Sequence, residues 1–262
     1  MSRYAAMFDR LGDEGALGAF VMLGVPDLRS SALLLDALVV GGADMIEVGI
    51  PFSDPVADGP IIQAAALHAL NAGVRVADCF DLIAGFRARH ANVPLGILTY
   101  ANVVVARAGF MHDAASAGAD SLLIADVPAF EAEPYVSQME QAGIEPVLIA
   151  AANTPHATLG RIAKLSRAYT YCVSRPGITG THASGRFDSH LVERLCDLGA
   201  PPQVFGFGIS RPEHVLAALS AGAKGVICGS AIVESAALGE DVTQLIRSLK
   251  AATRERLAVA MD

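Results

Sequence analysis

Tryptophan and long apolar runs are both missing from this chain of 262 residues. Aromatic residues make up 6% of the sequence and charged residues 18%, although apolar types reach 53%. No apolar stretch approaches the roughly 18 residues of a membrane-spanning helix, because Asp, Glu, Arg or Gly-Pro interrupts each one. Disorder requires low hydrophobicity and high net charge, so this composition excludes a disordered chain. The apolar surplus instead predicts a large core of small aliphatic side chains.

Basic clusters and metal-ligand spacings are also missing. The net charge is −8 and the basic residues are scattered, which argues against nucleic acid or an anionic membrane as a partner. The four cysteines form no Cys-x-x-Cys pair, and the seven histidines form no His-x-His or His-Glu-x-x-His pattern. We therefore expect no metal site and no disulfide framework. With no signal segment in the charged first ten residues, we expect a reducing, cytoplasmic location.

A repeated unit organises the chain: a helical stretch ends in a small-Gly step, and a short apolar run follows. Gly41-Gly42-Ala43-Asp44 precedes one such run, and Ala117-Gly118-Ala119-Asp120 precedes another. Glycine ends helices in the left-handed conformation, and a continuous apolar run is typical of a strand buried on both faces. The pattern predicts strands at 18–23, 44–49, 95–99, 121–125, 146–150, 168–173, 203–207 and 225–228. It predicts helices at 29–40, 61–72, 77–90, 107–117, 130–142, 156–166, 188–197, 212–221 and from 231 onward.

Eight strands alternating with helices predict a single (β/α)8 TIM barrel spanning residues 1–262. An amphipathic segment from Tyr4 to Leu11 would cap the bottom of the barrel, and the helix at 77–90 would be extra, after helix two. A dinucleotide-binding doubly wound sheet is the alternative. It would need Gly-x-Gly-x-x-Gly after the first strand, and Leu23-Gly24-Val25-Pro26-Asp27 does not match that pattern.

A glutamate interrupts the second predicted strand. Strand alternation places Glu47 on the same face as Met45 and Gly49. If that face is the barrel interior, apolar walls disfavour ionisation of the carboxyl group, which suits a general acid or base. The alternative is a structural ion pair, but no predicted strand carries a basic residue that could form it. We therefore interpret Glu47 as a catalytic candidate.

The segment from Pro51 to Pro60 is unusually rigid, because each of its three prolines restricts φ. Asp58 lies in this segment, eleven residues after Glu47 and at the same end of the barrel. A second carboxylate there could bind a cationic or N–H-bearing part of a substrate. It could equally cap a turn, and its spacing alone leaves both interpretations open.

Glycine-bearing segments, Phe205–Ser210 and Gly225–Ala231, end the last two predicted strands. Glycine lets backbone N–H groups approach an anion, and a helix that begins at Gly229-Ser230 places its positive end there. Phosphate sites of this fold lie after strands seven and eight, so we predict one that needs no Lys or Arg. The alternative is that these glycines serve only tight turns.

The segment 174–186 is long, polar and glycine-rich, which is typical of a mobile lid over an active site. Tyr169 and Tyr171 alternate on the strand before it, so one face carries two phenols. Either phenol could line a site or belong to the core.

Taken together, these segments resemble the tryptophan synthase α chain family. The most specific part is the run from Glu47 to Gln63, EVGIPFSDPVADGPIIQ. The other similar segments follow in one order across nearly the whole chain: Tyr100-Ala101-Asn102, Ala125–Pro128, Ser174–Gly180, Gly206–Ser210 and Gly229–Val233. The glycine motifs are less specific, since other phosphate-binding barrels share them.

The resemblance implies a retro-aldol cleavage of indole-3-glycerol phosphate to indole and glyceraldehyde 3-phosphate, without a cofactor. Glu47 would be the general acid/base, and Asp58 would accept the indole N–H and balance the positive charge of the intermediate. Thr179 and Gly180 would belong to the closing loop, with Thr179 reaching toward Asp58. The family's remaining substrate contacts fall on Phe20, Leu98 and Tyr171 for the indole, and on Gly180, Phe207, Gly208, Gly229 and Ser230 for the phosphate.

The resemblance also implies a partner, the tryptophan synthase β chain, in an α2β2 heterotetramer. The docking face would include Pro51, Phe52, Asp54, Asn102 and Pro128, with the phenylalanine exposed beside the prolines. Two positions depart from the family pattern. Val25 replaces a usual acidic residue, and Pro176 stiffens the lid, so loop order and coupling to the β chain are the properties that these changes would affect.

Two other functions remain open from the sequence. One is a different phosphate-binding barrel, such as a sugar-phosphate isomerase or epimerase. That chemistry usually needs a metal, Lys or His at a strand end, which we do not find. The other is a non-catalytic subunit that activates a partner, against which the pair Glu47 and Asp58 argues.

Overall fold

Parallel strands and surrounding helices form this protein, and the computed structural model describes residues 1–173 and 187–259. The strands are β1 Ala16–Met22, β2 Met45–Gly49, β3 Leu95–Thr99, β4 Ser121–Ile124, β5 Glu145–Pro146, β6 Leu148–Ala151, β7 Thr170–Val173, β8 Gln203–Phe205 and β9 Gly225–Cys228. The helices are α1 Arg3–Leu11, α2 Leu28–Gly41, α3 Pro60–Asn71, α4 Val76–Arg89, α5 Ala101–Val105, α6 Phe110–Ala117, α7 Glu133–Gln141, α8 His156–Leu165, α9 Ser189–Asp197, α10 Pro212–Ser220, α11 Ser230–Leu238 and α12 Val242–Val259. Within the described residues, no helix has both the length and the apolarity to cross a membrane.

The strands pair in the order β5-β4-β3-β2-β1-β9-β8-β7-β6. Only Val147 separates β5 from β6, so the two ends of this sheet belong to one stretch of chain and the barrel is nearly closed. The predicted TIM barrel is therefore confirmed, but the single strand predicted at 146–150 is wrong. Pro146 has no N–H to donate to a ladder, and after Val147 donates to the Leu122 carbonyl the chain pairs with β7 instead of β4.

The helix predicted at 107–117 is shorter than predicted, since α6 begins at Phe110, and α5 is a further helix that the sequence pattern did not predict. Gly109 has a φ of +80°, a left-handed conformation that separates α5 from α6. A run of three valines, Val103 to Val105, argues against a helix locally. The α5 helix forms because Val103 and Val104 are buried and because the Ala101 N–H donates to the Asp126 carboxylate.

The cap at the bottom of the barrel is confirmed. The α1 helix buries Tyr4, Met7 and Leu11, and Ser2 caps its first turn by accepting from the Ala5 N–H. The Tyr4 hydroxyl lies 2.9 Å from the Ser121 hydroxyl, at the first residue of β4. The cap therefore contacts the amino-terminal ends of the strands, opposite the end that carries the site.

Strand alternation separates two apolar clusters. Ile46 and Val48 of β2 pack outward, in the cluster that the surrounding helices share. Met45 packs inward with Phe20, Tyr169 and other side chains of the barrel interior. Glu47 shares the inward face of β2, as predicted, and it is 3% exposed.

Candidate active site

The Glu47 carboxyl group lies in the apolar interior of the barrel, beside Phe20 in the register of β1 and β2. One of its oxygens, Oε1, accepts a hydrogen bond of 2.7 Å from the Tyr169 hydroxyl. The other, Oε2, is buried and makes no hydrogen bond to a described residue. Buried polar atoms without a partner are rare, and Oε2 is one of four such side-chain atoms among the described residues, which leaves it available for a ligand.

Burial raises the pKa of Glu47 to about 7. The hydrogen bond from Tyr169 lowers this pKa, since it stabilises the carboxylate, and the negative charge of Asp58 raises it further. A pKa near the working pH lets one carboxyl group both release and accept a proton.

Asp58 is the second buried carboxylate, 8% exposed. The Tyr100 hydroxyl donates a 2.8 Å hydrogen bond to its Oδ2 and itself accepts from the Ala57 N–H. Burial raises the pKa of Asp58, and the Tyr100 hydrogen bond opposes that rise. The rigid segment after β2 thus places this carboxylate at a defined position rather than at a free turn.

A cavity of about 560 Å³ opens at the carboxyl ends of the strands. Phe20, Leu98 and Tyr171 line it, and so does Asp58. The Tyr171 ring contacts the Phe207 ring edge-on, with 5.8 Å between ring centroids. This combination of flat apolar walls and one carboxylate suits a planar aromatic ligand with an N–H group.

The glycine segments after β8 and β9 line the same cavity. Phe207, Gly208, Gly229 and Ser230 all contact it. Gly208 has a φ of +79°, which other residues rarely adopt, and Gly229 precedes α11 without a side-chain cap. The uncapped start of α11 leaves its first N–H groups and positive dipole end available to an anion.

The structure thus brings Asp58 and the predicted indole and phosphate residues around one cavity, except for those it does not describe. Glu47 is buried in the barrel interior and is not among the residues that line this cavity. Thr179 and Gly180 lie outside the described residues, as does Pro176. The two open questions on Tyr169 and Tyr171 have different answers: Tyr169 contacts Glu47, whereas Tyr171 lines the cavity.

Of the predicted docking residues, Pro51, Phe52 and Asp54 lie on the loop after β2 and Pro128 lies on the loop after β4, whereas Asn102 lies in α5, close after β3. Asp54, Asn102 and Pro128 are exposed. The expectation of an exposed phenylalanine at position 52 is wrong, since Pro51 is buried and the half-buried Phe52 stacks on Tyr100 at 5.2 Å. The loop after β2 folds back toward the end of β3, and this brings Phe52 against Tyr100.

Sequence reasoning missed Tyr100 and the cavity residues Ile61, Ile62 and His214. Tyr100 directly follows β3, so its position at a strand end was the available signal. His214 lies inside α10, where a lone histidine carries no such signal. Among the described residues, no three His, Cys, Asp or Glu side chains cluster in a way that could hold a metal ion.

A buried carboxylate and an uncapped helix start, both at a cavity formed by the carboxyl ends of the strands, place this protein in the class of (β/α)8 barrel enzymes. The comparisons with known proteins narrow that class. The family model described as "Tryptophan synthase alpha chain" matches residues 9–261. The chain therefore belongs to the tryptophan synthase alpha chain family.

Individual relatives agree with the family match. The tryptophan synthase alpha chain of Aeromonas hydrophila is 46% identical, over 89% of each chain. That of Klebsiella pneumoniae is 44% identical, over 97% of this chain and 99% of the relative. Among solved structures, Mycobacterium tuberculosis tryptophan synthase is 30% identical with a TM-score of 0.88, over 97% of this chain and 98% of that one.

Proposed function

We propose that this chain is a tryptophan synthase α subunit, which cleaves indole-3-glycerol phosphate to indole and glyceraldehyde 3-phosphate in tryptophan biosynthesis. The observation that carries the proposal is Glu47: a buried carboxyl group in the barrel interior, with one oxygen unpartnered among the described residues and a pKa of about 7. The reaction needs one group that gives a proton and then takes one back.

The first step protonates the indole ring. Protonated Glu47 gives its proton to C3 of the ring, which becomes a cation with its charge shared by the ring nitrogen. The ionised Asp58 accepts the N–H hydrogen bond and balances this charge, while Tyr100 holds Asp58 in place at 2.8 Å.

The second step breaks the carbon–carbon bond. The Glu47 carboxylate takes the proton from the hydroxyl on the carbon attached to C3, and the O–H electrons form the aldehyde carbonyl. The electron pair of the broken bond returns to the ring and neutralises its cation. Indole and glyceraldehyde 3-phosphate result, and Glu47 is protonated again, so the step balances without a cofactor.

The cavity orients the substrate for these steps. Phe20, Leu98 and Tyr171 would hold the indole ring against Asp58. Backbone N–H groups at Phe207, Gly208, Gly229 and Ser230 would bind the phosphate together with the start of α11, and Gly180 would add to them from the closing loop. Thr179 in the same loop would reach Asp58. Binding energy at the remote phosphate then positions the reacting carbon.

A tryptophan synthase β chain is the proposed partner, in an α2β2 assembly. Asp54, Asn102 and Pro128 follow the carboxyl ends of β2, β3 and β4, at the proposed catalytic end, so indole would leave toward the docked chain. Because Pro51 is buried and Phe52 is half-buried against Tyr100, these two residues would support the docking face from the protein side and make few contacts with the partner.

The experiment is an assay of indole release from indole-3-glycerol phosphate, with and without a purified β chain. Glu47→Gln keeps an acceptor for Tyr169 but cannot transfer protons, so we expect kcat to fall by about 10²–10⁴-fold. Asp58→Asn cannot balance the ring cation, and we expect a loss of about 10²–10³-fold.

The matched control is Glu193→Gln, whose side chain is exposed on α9 and should leave turnover unchanged. Near-normal turnover by Glu47→Gln in the complex would show that the chain only activates its partner. Absence of indole release from the wild-type chain in both conditions would contradict the proposed reaction itself.

A further inference from the structure

The loop from Gly206 to Ser210 is joined to α10 by one histidine. The Ser210 backbone N–H donates to Nδ1 of His214 at 3.3 Å, and the Ser210 hydroxyl lies 3.3 Å from the same atom. His214 also lines the cavity, beside Gly208 and Ser210. This histidine belongs to neither carboxylate of the proposed mechanism.

The hydrogen bond determines where the imidazole carries its proton. A backbone N–H can only donate, so Nδ1 of His214 must present its lone pair. The neutral ring then carries its hydrogen on Nε2, which is a donor. Among the described residues, no side chain or carbonyl accepts a hydrogen bond from that atom.

Two helix starts and the cation Arg211 favour an anion in this part of the cavity, which the carboxylate Glu234 also lines. The α10 helix begins at Pro212 with no side-chain cap, and α11 begins at Ser230 in the same way. Arg211, which precedes α10, and Ser230, which begins α11, both line the one cavity, and the helix dipoles attract negative charge there. A histidine donor that lines the same cavity adds to the donors proposed for the phosphate.

We propose that His214 binds the phosphate group of the substrate through Nε2–H, while its Nδ1 accepts from Ser210 and so holds the loop from Gly206 to Ser210 in place. The proposal rests on the phosphate site of the proposed function. Under this proposal, the substrate phosphate accepts from one neutral side chain, His214, as well as from the backbone N–H groups of the glycine segments.

Three variants separate the two roles of the ring. His214→Ala removes both ring nitrogens. His214→Asn places an amide oxygen near the position of Nδ1, so it retains the loop contact but loses the distant donor. His214→Gln extends an amide N–H toward the position of Nε2, so it restores the donor.

The test is calorimetric titration of each variant with inorganic phosphate, which needs no turnover. We expect His214→Ala and His214→Asn to bind phosphate about tenfold more weakly, since a hydrogen bond to a charged group is lost, and His214→Gln to recover part of that loss. KM for indole-3-glycerol phosphate should rise in parallel with little change in kcat. Indole binding should stay unchanged in all three variants.

His112→Ala, an exposed histidine on α6, is the control for a general effect of histidine removal. Wild-type affinity in a folded His214→Ala, or recovery by Asn and not by Gln, would overturn direct donation to the phosphate. A wild-type chain that binds no phosphate would overturn it as well. A chain that binds phosphate in this pattern but releases no indole would instead contradict the proposed reaction.

Discussion

The side chains behind Glu47 form a connected series from the bottom of the barrel to its interior. The Tyr4 and Tyr169 rings pack with 5.5 Å between centroids, and the Tyr169 hydroxyl donates to Glu47. Burial and Glu47 itself raise the pKa of Tyr169 well above its ordinary value, so this phenol stays protonated and remains a donor. Tyr169 thus lowers the pKa of Glu47, against the larger rise that burial causes.

Tyr169→Phe removes a hydrogen bond that stabilises the Glu47 carboxylate, and the pKa of Glu47 should therefore rise from about 7. The reaction begins with protonated Glu47, so wild-type kcat/KM should fall as pH rises through about 7. In Tyr169→Phe the fall should move to higher pH. The pH profile of kcat/KM measures this shift, with Tyr135→Phe, a half-buried tyrosine of α7, as the control. An alkaline limb that stays in place or moves down would refute this role of Tyr169.

At the scale of elements, the ends of strands decide where the site forms. The β8 strand ends at Phe205, and Gly206 then passes directly beneath the Tyr171 ring of β7. A Cβ at Gly206 would lie 1.9 Å from Cζ and Oη of Tyr171, which is far inside contact distance. Gly206 does not have a positive φ, so its backbone conformation does not require glycine. The close approach to Tyr171 does.

Gly206→Ala should force Tyr171 out of its position in the cavity. We expect KM for indole-3-glycerol phosphate to rise and the free energy of unfolding to fall by about 1–3 kcal/mol, as in other overpacked sites. Steady-state kinetics and denaturant unfolding measure the two effects. Gly160→Ala is the matched control: its Cβ would meet Leu198 at an ordinary 3.8 Å, within helix α8, so that variant should be slightly more stable. Equal KM values for Gly206→Ala and the wild type would contradict the assignment.

At the scale of the whole molecule, a buried ionic cluster joins the two ends of the chain below the barrel. Lys250 of α12 is 8% exposed and contacts both Glu14 and Asp44, the latter at 2.7 Å. Asp44 also accepts from the Leu17 N–H at 2.9 Å, and Arg254 bonds Glu14 at 3.1 Å. The last helix is thereby connected to the starts of β1 and β2, far from the cavity.

Lys250→Met leaves two largely buried carboxylates without their principal cation. Because breaking a buried pair costs more than the pair contributes, we expect the free energy of unfolding to fall by about 3–5 kcal/mol. Arg254→Met removes an exposed partner of the same cluster and should cost less than about 1 kcal/mol. Chemical denaturation compares the two. Since the cluster is remote from the cavity, KM measured well below the unfolding temperature should be unchanged, and similar losses in both variants would contradict this account.

Much of the architecture could be predicted because local sequence patterns indicate it. Helix-ending glycine steps such as Gly41-Gly42 and Gly118 precede doubly buried strands, and their regular recurrence indicates a barrel. The strand at 146–150 and the helix at 107–117 were predicted imperfectly for local reasons too. Pro146 and Gly109 interrupt those elements, but only the neighbouring strands and helices determine how the chain continues beyond them.

The sequence by itself determined that Glu47 shares a strand face with Met45 and Gly49 and that no predicted strand offers it a basic partner, because alternation and residue type are visible in the chain. Only the tertiary structure decided that Tyr169 rather than Tyr171 contacts it, because the pair lies 122 positions apart in the sequence. The same holds for the contacts of Tyr100 with Asp58, of His214 with Ser210 and of Phe52 with Tyr100. Such side-chain contacts depend on the closure of the barrel, which brings together strand ends that no local pattern connects.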